Sequence, residues 1–197
     1  MRLALFYGLL AAPWPGLREV YSSVYGATAN AVFGSFGPHG YVRFWPSSGG
    51  REQMDTEIFI GNKQTRASRI AQHSARLTGY LPTAEILALI LATPIPWSRR
   101  WKALLCGLLL TQGLIALRVI IVLLYGFSGD HPCALYAPGP FWGEVLAKAH
   151  KIGVVGVNFT FVAPILIYIP VTFRRSDFQR WAALGDERKR KSKQPER

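Results

Sequence analysis

Carboxylates are scarce in this chain: 11 Asp and Glu stand against 23 Lys and Arg over 197 residues, a formal net charge of +12. Cysteine is scarcer still, with Cys106 and Cys133 alone, which excludes a disulfide framework. The four histidines, His39, His73, His131 and His150, are scattered without ligand spacing, so no metal centre is indicated. No Gly-rich loop runs into Lys and Ser or Thr, which removes the usual cradle for nucleotide phosphates. There is no internal repeat, and nothing calls for a cofactor. A basic surplus can signal nucleic acid, but here it collects in the turn 98–102 and after Phe173, where Arg174, Arg175, Arg180, Arg188, Lys189, Arg190, Lys191, Lys193 and Arg197 crowd together. Topogenic charge accounts for that placement better than a nucleic-acid groove.

What is abundant is apolar sequence: half of the residues are hydrophobic, and they are gathered in blocks. Residues 79–127 hold two long apolar runs joined by Ser98-Arg99-Arg100-Trp101-Lys102. A bilayer core about 30 Å thick takes about 20 helical residues, so this stretch predicts a transmembrane helical hairpin. Its basic turn marks the cytoplasmic side, and that fixes the direction of the rest. The fold expected is a mainly α membrane protein with four transmembrane helices and a small outer β-hairpin between helices 1 and 2, both termini being cytoplasmic.

In chain order, 1–36 reads as an uncleaved first transmembrane helix bent at Pro13 and Pro15. The signal-peptide alternative fails because the Ala29-Asn30-Ala31 site lies far from the apolar run, with Arg18 and Glu19 in between. Residues 37–78 carry strand signals at 41–45 and 56–60 around the turn formers Pro46-Ser47-Ser48-Gly49-Gly50. A pre-membrane helix then follows. A lone hairpin is marginal in water, so it should rest on the membrane, on its own helices or on a partner. Residues 128–150 read as an outer loop, 151–173 as a fourth span kinked at Pro164 and Pro170, and 174–197 as a basic cytoplasmic tail that meets anionic lipid.

Three constellations could carry chemistry. Glu85 and Arg118 lie at similar depth on the two arms of the hairpin, where an unpaired charge is expensive. They are expected to pair, with Asn158 as a third polar member, in a structural or partner-holding role. Arg66, Arg69, His73 and Arg76 recur every three or four residues and would share one helical face, suited to lipid phosphates or an acidic partner. Cys133 stands beside His131 and Asp130, the residue types of a thiol nucleophile with its base. Such tight spacing makes Cys133 and His131 weak catalytic candidates, with His150 as another base. Cys106, among leucines, reads as an inert buried thiol on the opposite side of the membrane from Cys133.

At RLTGYLPTAEILALILATPIPWSRRWKALLCGLLL, residues 76–110, the chain resembles the small inner-membrane proteins that accompany bacterial exosortases, the membrane-embedded Cys/Arg/His sorting peptidases. The likeness rests on Gly79-Tyr80-Leu81-Pro82, on Ala92-Thr93-Pro94 and on the Arg99-Arg100 turn. It implies a non-enzymatic accessory protein of a bacterial inner membrane, with a sorting or export protein as its partner. Two other readings stand beside it: a membrane thiol peptidase or acyltransferase using Cys133, and a lipid-contacting subunit of a larger membrane complex.

Overall fold

The computed structural model describes residues 2–12, 17–47, 54–173 and 177. Two helices open the chain, α1 (Arg2–Ala11) and α2 (Leu17–Phe33). Four strands follow: β1 (Ser35–Phe36), β2 (Gly40–Pro46), β3 (Thr56–Asn62) and β4 (Ser68–His73). A wide π turn at Arg76–Tyr80 leads into α3 (Leu81–Ala92), and α4 (Trp97–Phe127) runs back. After a loop come α5 (Pro140–His150), a second π turn at Lys151–Val155, and α6 (Val157–Thr172).

The strands form one antiparallel meander in the order β1-β2-β3-β4. Alternation decides its faces. Val42 and Phe44 of β2, with Ile58 and Ile60 of β3, turn inward and are buried, and the register sets Val42 opposite Ile60 and Phe44 opposite Ile58. On the outer face Tyr41 and Trp45 pack on Phe59, with ring centroids 5.8 Å apart in each pair, the cross-strand aromatic contacts that stabilise a pleated surface. The inner face sits on the C-terminal end of α4, where Val119, Leu123 and Phe127 join the same core. Phe36 stacks on Phe127 at 4.9 Å. The approach is close: a methyl group placed on Gly126 would stand 2.7 Å from Ile60 Cδ1.

Helix α2 lies along β2. It is held there by Asn30, whose amide donates to the Phe44 carbonyl and accepts from the Phe44 N–H, both at 2.8 Å. Asp55 binds the sheet to α3 in a similar way. Its carboxylate accepts the N–H groups of Ala75 and Arg76 at 2.7 and 3.1 Å and the Thr56 hydroxyl at 3.0 Å, satisfying donors that the start of a helix leaves open.

Helix α3 packs against α1, α4 and α6. Ile86 and Ile90 are fully buried and share a second core with Ala103 of α4 and with Ile167, Tyr168 and Val171 of α6. The Tyr80 hydroxyl donates to the Leu10 carbonyl of α1. The Thr93 hydroxyl meets that of Tyr168 at 2.6 Å as α3 ends, and Pro94 and Pro96 prevent the helix from continuing.

The expected four transmembrane helices are not what the structure contains. Among the described residues one helix, Trp97–Phe127, is long and apolar enough to cross a membrane. α3 has 12 residues, about 18 Å at 1.5 Å per residue, too short for a bilayer core. An apolar run of that length belongs to a buried core helix, and three packed neighbours explain why α3, Thr83 and Glu85 aside, is apolar. The first expected span is divided into α1, with 10 residues, and α2, with 17. Its proposed kink at Pro13 and Pro15 lies outside the described residues. In place of a fourth span, Pro140–Val154 and Phe159–Thr172 stand at 85° to each other, and α5 occupies what was read as outer loop. The expected two-stranded hairpin is the middle of a four-stranded sheet. Residues 48–50 of its turn and the tail from 174, Asp177 aside, lie outside the described residues.

Candidate functional site

Beneath the sheet, on the side of β4, is a cavity of about 410 Å³. Three positions of α4 reach it, Arg118, Val122 and Tyr125, four and then three residues apart and so on one helical face. β3 contributes Ile58 and Ile60, and β4 contributes Arg69, Ala71 and His73, alternate residues of one strand face. The chain beyond the sheet adds Ser74, Leu77 and Thr78, and His150, Val154 and Thr160 close the other side.

Arg118 dominates the site. It is 3% exposed, and its guanidinium donates to Thr160 Oγ1 at 3.3 Å and to the Val154 carbonyl at 3.5 Å. It lies 6.0 Å from the Phe159 ring centroid. Both hydrogen bonds are long for N–H···O, and the Nε group is buried without an acceptor. Among the described residues no carboxylate lines the cavity.

The two histidines do not supply further charge at neutral pH. His73 is buried, with Nε2 3.3 Å from the Tyr25 hydroxyl, and its ring stacks on Tyr25 at 6.1 Å. Burial first, and then the charge of Arg118, pushes its pKa down to about 4. His150 stacks on Tyr125 at 4.2 Å, and burial followed by the charge of Arg69 lowers its pKa as well. The cavity therefore carries two guanidinium groups, neutral imidazoles and the hydroxyls of Ser74, Thr78 and Thr160.

The residues singled out from the sequence are dispersed. Glu85 is not opposite Arg118: the ion pairs among the described residues are Arg99 with Asp177 at 2.7 Å and Lys148 with Glu144 at 2.7 Å. Glu85 Oε2 is buried without a hydrogen-bond partner. Asn158 falls in α6, with its side chain outside the described part of the structure. The four basic residues expected on one helical face are split. Arg66 is in the turn before β4 with a φ of 56°, Arg69 and His73 are on β4, and Arg76 is in the π turn.

Cys133 is 5% exposed and belongs to a loop that is fixed to the sheet. In that loop Leu135 N–H donates to the Phe127 carbonyl at 2.9 Å, and Asn62 Nδ2 donates to the Ala134 carbonyl at 3.0 Å. Cys133 and His131 are not among the residues that line the cavity with His150. Cys106, expected to be buried, is exposed on α4.

Thr160, Thr78 and Ser74 were not singled out beforehand. Only the spacing of Arg118, Val122 and Tyr125 signals a face; which hydroxyls meet it depends on how α6 and the π turn pack. No protein-family model, curated protein or solved structure matches this chain.

Proposed function

We propose that this chain is a non-enzymatic integral protein of a bacterial inner membrane that assists an exosortase-like protein-sorting or envelope-export system. In this reading α4 is the membrane span, and the Arg99-Arg100 turn marks its cytoplasmic end. Leucines on α4, among them Leu105, Leu109, Leu110 and Leu117, are more than half exposed, an apolar surface of the kind that lipid or a membrane partner covers. Leu3 and Phe173 line a second cavity of about 690 Å³ together with Arg99, which puts both residues at the same end of α4 as the basic turn.

The observation that carries the non-enzymatic part is the state of the candidate nucleophiles. Ser74 Oγ accepts the Leu77 N–H at 3.2 Å, the His73 ring is engaged with Tyr25, and Asp55 is occupied by backbone N–H groups and Thr56. Among the described residues no relay of nucleophile, base and orienting acid is assembled, and Cys133 does not line the cavity that holds His150. The cavity is built to hold a group and not to break a bond. Copurification from native membranes in mild detergent tests the assignment. A sorting or export protein should accompany the chain, and a Cys133→Ala variant should keep full activity in cells. A chain that emerges alone, or one inactivated by that substitution, counts against it.

A further inference from the structure

We propose that the cavity between the sheet and α4 is a binding site for the phosphate group of an anionic phospholipid. The starting point is Arg118. A guanidinium has five N–H donors and stays charged inside a protein, and a buried charge without an acid partner is costly to keep. Here that cation is 3% exposed, makes two long hydrogen bonds and has a buried Nε with no acceptor. An oxyanion in the adjoining space supplies what the protein does not.

The shape of the donor set favours phosphate over carboxylate. Arg118 comes from α4, Arg69 from β4, the Ser74 and Thr78 hydroxyls from the one stretch that leads into and through the first π turn, and the Thr160 hydroxyl from α6. Donors arriving from several directions match the tetrahedral oxygens of a phosphate, whereas the two carboxylate oxygens lie in one plane. With both imidazoles held neutral and no acid in the lining, the net charge of the walls is that of the two arginines. A phosphodiester carries one negative charge, which offsets that of the buried Arg118 and leaves the exposed Arg69 partly solvated.

The remaining walls indicate where the phosphate comes from. Ile58, Ile60, Val122 and Val154 make much of the lining apolar, and Tyr125, which also lines it, is 40% exposed, as an aromatic at a membrane interface would be. A free phosphate has no use for such walls; the glycerol and first methylenes of a lipid do. The lipid source rests on the membrane reading above, while the phosphate chemistry does not.

The test uses the full chain in mild detergent, stripped of lipid and titrated separately with phosphatidylglycerol, diacylglycerol, inorganic phosphate and a short peptide with a free C-terminal carboxylate. Native mass spectrometry reports bound copies. One phosphatidylglycerol should bind and diacylglycerol should not. Arg118→Gln should weaken phosphatidylglycerol by about tenfold or more, the loss of a charge-assisted hydrogen bond, with the melting temperature of the lipid-free protein unchanged. Arg118→Lys, which keeps the charge but not the fork, should fall in between and guards against a folding defect in the first variant. Equal binding of diacylglycerol, or wild-type binding by a folded Arg118→Gln, overturns the site. Tight binding of inorganic phosphate or of the peptide carboxylate with none of phosphatidylglycerol overturns the lipid assignment. If the chain is extracted from cells without detergent, the membrane reading fails and the inorganic phosphate arm alone judges the site.

Discussion

At the N-terminal end of α4, Arg99 holds Asp177 at 2.7 Å, with the two side chains 26% and 21% exposed. Further along the same helix Arg118 is 3% exposed and finds only a hydroxyl and a carbonyl, at 3.3 and 3.5 Å. Arg99 has what an arginine at a protein surface ordinarily has, and such a pair contributes little because water screens it. Arg118 has been taken out of solvent without the carboxylate that would offset the loss, which makes it a net burden on the fold. A position that costs stability is one whose use has to be sought elsewhere. The end of α4 with the ordinary arginine is an anchor, and the end with the costly one is the site.

The largest effect that bears on this contrast concerns the roof of the site. Gly126→Leu drives a side chain into Ile60, 2.7 Å from where its first carbon would lie, and should destabilise the protein by about 3 kcal/mol or more by overpacking. Gly113→Leu, on the same helix with nothing within 4 Å, should leave thermal melting unchanged. Equal effects would show that the sheet does not rest on α4.

Acid should act next, through His73. Its pKa of about 4 lies below the ordinary value of 6.5, so the unfolded chain takes up the proton first. Stability is full above pH 6.5 and is lost as pH falls toward 4, by about 3 kcal/mol. Denaturation at pH 7 and pH 4.5 should show the loss in the wild type and a smaller one in His73→Gln. A pH dependence unaltered by the substitution would mean that the ring is not held neutral beside Arg118.

The smallest effects address the two arginines directly. Arg118→Met should leave the melting temperature unchanged or raise it, because an apolar side chain of similar length fits the site without a desolvated charge. Arg99→Gln should be indistinguishable from the wild type. A marked drop for Arg118→Met would assign that residue a structural role and remove the contrast.

Some of this was legible in the residues. The alternation at 41–45 and 56–60 marks the middle strands, because a sheet with one buried face needs period two. β4 was hidden because Arg69 and His73 are four apart, a spacing that aligns residues on a helix and on a strand alike. The apolar run of α3 resembles a span because a helix enclosed by three others and a helix enclosed by lipid need the same composition, and only length tells them apart. Depth along two antiparallel helices placed Glu85 near Arg118, but depth does not give rotation. In the structure α4 turns Arg118 toward Thr160, and Glu85 Oε2 is buried without a hydrogen-bond partner.

The Asn30 amide has a consequence for the edge of the sheet. By bonding both backbone groups of Phe44, it occupies an edge of β2 beyond the Gly40 and Tyr41 positions that β1 pairs. Helix α2 thus closes a length of strand edge that the two-residue β1 leaves unpaired, so that this part of the sheet offers no template to another chain.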